Sequence, residues 1–256
     1  MKGGLGGSSI LYLTGLSAIA ALGGFLFGYD TAVISGTLSL VKSQFLLSVA
    51  YEGWYVSSAL VGCVLGVSGA GWLSDKYGRK MMLLLAALLF SVSAIGCAIS
   101  GSFVELVLYR FIGGMGVGIA SMLSPMYISE ISPPQFRGRL VALYQLAITI
   151  GILCAYYVNA KLLDTAQELN LGMFPLLQLI FEKEFWRAML GMETLPAVAF
   201  FLLVITIPRS PRWLVVKGFE EEASKILTKL AGVDGAQKEI AEIKETMALE
   251  KTSWRM

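Results

Sequence analysis

The chain has 256 residues, a net charge of +2, and a composition that is 56% hydrophobic and only 15% charged. Because charged residues make up about a quarter of an ordinary soluble domain, this composition argues against a soluble protein and predicts a membrane protein. Histidine, the commonest general base and metal ligand, is absent, and Cys63, Cys97 and Cys154 lie in apolar runs without CxxC spacing. We therefore expect no enzyme activity, metal, cofactor, disulfide or nucleic-acid partner.

Six apolar runs are each long enough to cross a bilayer, which needs about 20 residues. They comprise residues 10–36, 53–74, 81–101, 104–129, 140–160 and 187–207. The first run contains Ala18-Ile19-Ala20, which resembles a signal-peptide cleavage site. Only Lys2 precedes the run, however, and the run continues well past that site, so we interpret it as a span. The predicted fold is an all-α membrane protein with a six-transmembrane-helix bundle over residues 1–207.

Positive residues are concentrated in the segments after runs two, four and six. They are Lys76, Arg79, Lys80, Arg137, Arg139 and nine more after run six. Because cytoplasmic segments of membrane proteins carry an excess of Lys and Arg, both termini are predicted to lie in the cytoplasm. The membrane would be the cell (plasma or inner) membrane. The opposite side carries Lys42, Glu105 and a longer loop of mixed charge at 161–186.

Residues 208–256 form a second predicted unit, a cytoplasmic segment of short helices. Ile240, Ile243 and Met247 recur with helical period among charged residues, and Gly218 and the segment 232–235 predict helix breaks. Two interpretations are open. The segment is either a solvated tail with no role of its own or a set of helices packed beneath the bundle.

Three ionisable side chains lie inside the runs: Asp30, Arg110 and Glu193. Each costs roughly 2.5–3.5 kcal/mol at a helix centre on insertion scales, so such residues indicate a functional site. In the predicted topology all three converge on the outer half of the bundle. One hypothesis is a structural ion pair that locks the helices together. The other is a proton-coupling site, in which two acids and one base leave one carboxylate free to bind a proton.

Glycines recur at helix-packing spacing in runs one and four. GGFLFG at 23–28 and GGMGVG at 113–118 share the pattern GGxxxG, and small residues four apart let membrane helices approach closely. The shared pattern in these two runs suggests an internal three-plus-three repeat of the kind found within each half of some transporters.

Four motifs in chain order resemble the sugar porter family of the major facilitator superfamily, in particular its bacterial xylose–proton symporters. They are GYDTAVISG at 28–36, GWLSDKYGRK at 71–80, YRFIGGMGVGIASMLSPMYISEISPPQFRGRL at 109–140 and SPRWL at 210–214. Family members have twelve spans in two six-span halves joined by a cytoplasmic helical segment. The resemblance therefore implies the amino-terminal half of a monosaccharide transporter that works by proton symport and alternating access.

The resemblance also implies roles for individual residues. Asp30 matches the acid that proton-coupled members carry in their first span, Arg110 its partner, and Glu193 a further acid in the sixth span. Phe27 and Gln145 match positions that contact the sugar. For Gln145 taken alone, a structural hydrogen bond between helices is an equally open interpretation.

A second set of matched residues lies at the cytoplasmic side. Their shared role in the family is a charged network that latches the two halves when the site faces outward; they are Asp75, Arg79, Glu130, Arg137 and Arg212. Arg209 departs from the family, which usually has Glu there, and this reversal would weaken or rearrange the latch.

Ile152 is a second departure. Xylose-transporting members carry a second Gln at this position, whereas passive glucose carriers have Ile. The sugar is therefore open between xylose and a hexose, and a passive uniporter is the alternative function.

The implied partners are a monosaccharide, a proton, the lipid bilayer and a second six-span half. The second half is open to three explanations. The chain is a truncated or partial product, as its abrupt end at TSWRM favours; or it pairs with itself or a separate half; or it is a non-transporting membrane protein that binds sugar or a partner.

Overall fold

The structure is a computed structural model that describes residues 7–165 and 184–253, with side chains for residues 9–164 and 184–248. The described residues form nine helices. These are α1 (Gly7–Phe45), α2 (Val49–Tyr77), α3 (Arg79–Ile99), α4 (Phe103–Ile131), α5 (Pro134–Thr165), α6 (Phe185–Gly191), α7 (Thr194–Thr206), α8 (Pro211–Val216) and α9 (Glu220–Ser253). Most of the loop predicted at 161–186, with Glu168, Glu182 and Lys183, lies outside the described residues.

Within the described residues, six segments are long and apolar enough to cross a membrane: α1 to α5 singly, and α6 with α7 together. This confirms the six predicted spans and the all-α class, since the described residues contain no strand. The helices run beyond the apolar runs because polar residues continue them at the ends. Helix α1 extends past Lys42 to Phe45, and α5 begins at Pro134, where a proline fits the first helical position. The predicted division of the chain after residue 207 remains a prediction.

The sixth span is broken rather than continuous. Pro196 has no backbone N–H and would clash with the carbonyl of Met192 in an unbroken helix. The backbone instead tightens: the N–H of Leu195 donates to the Met192 carbonyl at 3.3 Å, and the N–H of Glu193 donates to the Leu190 carbonyl at 3.2 Å. The break sets Glu193 at the junction of α6 and α7.

Glycines bring two pairs of helices into backbone contact, α1 with α5 and α2 with α4. A Cβ at Gly28 would collide with the backbone of Ile148, and a Cβ at Gly118 would collide with the backbone of Cys63. Suppose that α1, α2 and α3 form one repeat and that α4, α5 and the α6–α7 span form the other. Then α1 corresponds to α4, and α2 corresponds to α5. The contact between α1 and α5 therefore corresponds to the contact between α4 and α2. This equivalence supports the predicted three-plus-three repeat.

The carboxy-terminal segment is packed against the bundle and is not a solvated tail. Ile240 and Ile243 of α9 pack against buried residues of α8, and Leu230 belongs to the main core of the bundle. Gly218 and Gly232 have positive φ values of 86° and 79°, which glycine adopts readily. They separate α8 from α9 and interrupt α9, which confirms the two predicted breaks.

Candidate functional site

A buried ion pair joins α1 and α4 inside the bundle. Nη1 of Arg110 lies 3.2 Å from Oδ1 of Asp30, and the two residues are only 2% and 8% exposed. Gly114, one turn after Arg110, sits directly on the α2 backbone, so α4 approaches α2 closely at this depth. Losing one partner of such a pair leaves an uncompensated buried charge, which is strongly unfavourable. Protonation of the acid is one way to change the charge of this pair.

The third predicted charge, Glu193, is also buried, at 5% exposed. It lies close enough to Asp30 and Arg110 to interact electrostatically with both. Among the described residues, no hydrogen bond or ion pair is made to its carboxylate. The arrangement therefore holds two carboxylates and one guanidinium, with the guanidinium in contact with only one of the acids.

Neutral residues complete this buried cluster, and none of them was predicted. The ring of Tyr55 lies beneath the Arg110 guanidinium, and its hydroxyl is 2.8 Å from Oγ1 of Thr37. The hydroxyl of Tyr29, adjacent to Asp30, is buried and has no partner among the described groups. Tyrosine and threonine are common in membrane spans, so a single sequence offers no signal that would have identified them.

The three residues assigned to sugar binding lie on α1 and α5, the two helices that meet at Gly28. Phe27 is half-buried against the core, next to the close contact at Gly28. The side chain of Gln145 is exposed, and no interhelical hydrogen bond is made by it among the described residues. Ile152 is half-buried and packs in the cluster that contains Tyr29.

A fourth buried charge, Arg187, was missed because it stands at the edge of the sixth apolar run. It pairs with Glu184, and its guanidinium donates to the carbonyls of Ala98 and Ser100 at the end of α3. The neighbouring Trp186 donates from its indole nitrogen to Gln44 at the end of α1. Arg187 therefore anchors the start of α6 and is separate from the Asp30 cluster.

Charged residues also meet at the other end of the bundle, beside the connection from α2 to α3. Arg79 contacts Asp75 at 2.8 Å and Glu130 at 3.0 Å. The second carboxylate oxygen of Glu130 accepts from Ser210, the N-cap of α8. Trp213 of α8 donates from its indole nitrogen to the carbonyl of Asp75 at 3.1 Å. These bonds join α2, α3 and α4 to α8, and Ser210 and Trp213 were not predicted to take part.

Arg137 and Arg212 lie beside this group. Both line a pocket of about 220 Å³ together with Glu130 and with Glu239 and Glu242 of α9. Burial raises the pKa of the Glu239 carboxyl; the charge of Arg137 lowers it in part and that of Glu242 adds to the rise. The structure thus brings all five predicted network residues to one end, where Arg79 pairs directly with Asp75 and Glu130.

Arg209, the predicted departure from the family pattern, lies at the surface near α9. Its guanidinium is 3.7 Å from a carboxylate oxygen of Glu222, and both side chains are about half-exposed. Such an exposed pair contributes little to stability.

The fold and these two charged groups define a class. A bundle of six spans, with buried charges inside it and a charged network at one end, is the architecture of one half of a secondary transporter of the major facilitator fold. The chain belongs to the Sugar (and other) transporter family, whose model matches residues 16–256. This is a family of transporters rather than of enzymes.

Individual relatives agree with this assignment. An arabinose-proton symporter of Bacillus subtilis (strain 168) is 41% identical over 236 residues, covering 92% of this chain and 49% of the relative. A D-xylose-proton symporter of Escherichia coli (strain K12) is 38% identical over 262 residues, covering 92% and 51% respectively. The solved structure of the proton:xylose symporter XylE bound to 6-bromo-6-deoxy-D-glucose gives a TM-score of 0.86 at 38% identity, covering 95% of this chain and 55% of that one. The chain spans about half the length of the curated relatives it matches.

Proposed function

We propose that this chain is the amino-terminal half of a proton-coupled monosaccharide transporter that works by alternating access. The observation that carries the proposal is the buried contact between Arg110 and Asp30 with Glu193 beside it. Because two acids share one base, the cluster can take up a proton without leaving the base unpaired. Protonation of Asp30 would release Arg110 from it, and the second carboxylate would remain nearby to balance the guanidinium.

The substrate is proposed to be a pentose or a hexose bound beside this cluster. Phe27 lies three residues before Asp30, near enough along α1 to offer an aromatic face to a sugar ring. The exposed amide of Gln145 has both a donor and an acceptor, as a sugar hydroxyl requires. The printed names of the relatives include arabinose and xylose, and the solved relative holds a glucose derivative. The apolar Ile152 is compatible with either class of sugar.

The charged end is proposed to face the cytoplasm, with both termini on that side, in the plasma or inner membrane. The support is the concentration of Lys and Arg at this end. Asp75, Arg79, Glu130, Arg137 and Arg212 are then placed to act on a second six-span half as it closes. That half would come from the rest of a longer chain, a separate chain or a second copy.

Uptake by reconstituted protein tests the proposal. The chain would be joined at residue 256 to the carboxy-terminal half of the E. coli D-xylose-proton symporter and placed in proteoliposomes with and without an inward proton gradient. We expect the gradient to drive accumulation of labelled xylose or glucose. Asp30→Asn should abolish accumulation while sugar exchange continues, and Asp164→Asn, the same change at an exposed site, should have no effect.

The outcomes separate the candidate functions. Accumulation by Asp30→Asn equal to that of the unchanged protein would contradict the coupling role. Equilibration without accumulation in the unchanged protein would indicate a passive uniporter. The same assay on the 256-residue chain alone, with its oligomeric mass in detergent, tests whether it pairs with itself.

A further inference from the structure

One neutral side chain touches both helices of the buried ion pair without belonging to either. Tyr55 of α2 is completely buried, and the centre of its ring lies 5.5 Å from the guanidinium carbon of Arg110 on α4. This is within the range of a cation–π interaction. At its other end the hydroxyl meets Thr37 of α1, whose own hydroxyl donates to the carbonyl of Ile34 at 3.2 Å. The ring is therefore fixed at both ends.

The guanidinium of Arg110 has few other interactions. It has five N–H donors, yet its only hydrogen bond within the described residues is the single contact of 3.2 Å to Asp30. Its Nε is buried without a partner there. An Arg–carboxylate pair is strongest when two parallel bonds form, and Arg110 makes one long bond instead. The Tyr55 ring is thus a principal second support of a buried positive charge.

We infer that Tyr55 is a positioning residue that competes with Asp30 for the guanidinium of Arg110. While the ring holds the cation, the attraction between Arg110 and Asp30 is limited to one long contact, so Asp30 can accept a proton more readily. After that proton has bound, the ring remains as a partner for the cation. This inference rests on the proposed function for its role in transport, but not for its effect on Asp30.

Ionisable groups from several other helices surround Asp30. Those that interact electrostatically with Asp30 are Arg110 on α4, Glu193 at the α6–α7 junction, Tyr55 and Cys63 on α2, and Cys97 on α3. Among these, Arg110 carries the only positive charge. Moving the guanidinium is therefore the means by which a neutral residue on α2 can alter proton binding at Asp30.

The test is a direct titration of Asp30 in the 256-residue chain. The chain would be labelled with ¹³C at the aspartate carboxyl carbons and placed in lipid nanodiscs, and the Asp30 resonance would be assigned with Asp30→Asn. In Tyr55→Met, which keeps bulk but removes the ring, we expect the midpoint to fall by about one pH unit, a tenfold loss of proton affinity. Tyr55→Phe keeps the ring and should leave the midpoint close to that of the unchanged chain.

A graded series keeps the test decisive if the Met variant does not fold. Phenylalanine, monofluoro- and trifluorophenylalanine at position 55 weaken the negative face of the ring stepwise with little change of shape. We expect the Asp30 midpoint to fall with each step. A midpoint that does not follow the series, or that rises, overturns the inference. Because the resonance reports the carboxyl group itself, a failure of the transport assay would leave this result interpretable.

Discussion

Replacing Gly28 by alanine should destabilise the bundle, because α1 and α5 touch through their backbones at this point. The added methyl carbon would collide with the carbonyl oxygen of Ile148 and lie 2.9 Å from its carbonyl carbon. A backbone carbonyl cannot rotate away as a flexible side chain can, so the helices must separate. Overpacking of this kind costs about 1–3 kcal/mol, and a rigid backbone obstacle favours the upper part of that range.

Gly15 provides a matched control in the same helix. A Cβ at Gly15 meets no atom within 4 Å. Both substitutions gain the same helix propensity, up to about 1 kcal/mol, so the difference between the two variants isolates the overpacking. We expect Gly28→Ala to be less stable than Gly15→Ala by about 2–3 kcal/mol.

Thermal unfolding in detergent, followed by intrinsic tryptophan fluorescence, measures the difference. At about 2–4 °C per kcal/mol for a protein of this size, Gly28→Ala should unfold roughly 4–12 °C below Gly15→Ala. Equal midpoints for the two variants would refute the conclusion that the α1–α5 contact is closed to a side chain.

Two further predictions concern the charged end. Glu130→Gln removes the charge of the less exposed of the two acids that pair with Arg79, and it should lower the free energy of unfolding by about 1–3 kcal/mol. Glu222→Gln, at a half-exposed pair, should change that free energy by less than about 1 kcal/mol. Equal effects of the two substitutions on the unfolding midpoint would contradict this prediction. The raised pKa of Glu239 means that the packed state binds its proton more tightly, so packing of α9 should be most stable at low pH and weaken as pH rises through that pKa. Hydrogen exchange of α9, corrected for intrinsic rates, should therefore be slower at pH 5 than at pH 7, and Glu239→Gln should remove the difference; a difference that survives in Glu239→Gln must come from another group.

Much of the bundle follows from two physical rules that act on the sequence alone. Backbone polar groups cannot go unsatisfied in lipid, so each long apolar run must become a helix. A charge buried in such a run needs a partner, and the order of the spans limits where the partner can be. These rules lead to six helices and to the meeting of Asp30 with Arg110, which the structure shows at 3.2 Å. The roles of these residues in transport remain predictions.

Features that depend on which side chains meet between helices could not be predicted from the sequence. Tyr55 and Thr37 carry no charge, and their contact joins positions 18 residues apart on different helices. Arg187 is the first residue of the sixth apolar run and was overlooked as a buried charge, because an apolar run gives no sharp boundary for the start of a helix. The break beside Glu193 was predictable in principle, since Pro196 lies three residues later, but hydropathy alone merges the two helices into one span.

The position of the glycines bears on how the buried charges can respond to a proton. Asp30 belongs to the first three-helix repeat, whereas Arg110 and Glu193 belong to the second. The α1–α5 and α2–α4 contacts each join one helix from each repeat through their backbones, so the repeats cannot slide apart without losing both. Protonation is therefore more easily accommodated by rotation of the Arg110 side chain than by separation of α1 from α4. Under the proposed function, the six-span unit would then move as one body, and the large displacement that alternating access needs would fall between this unit and a second half.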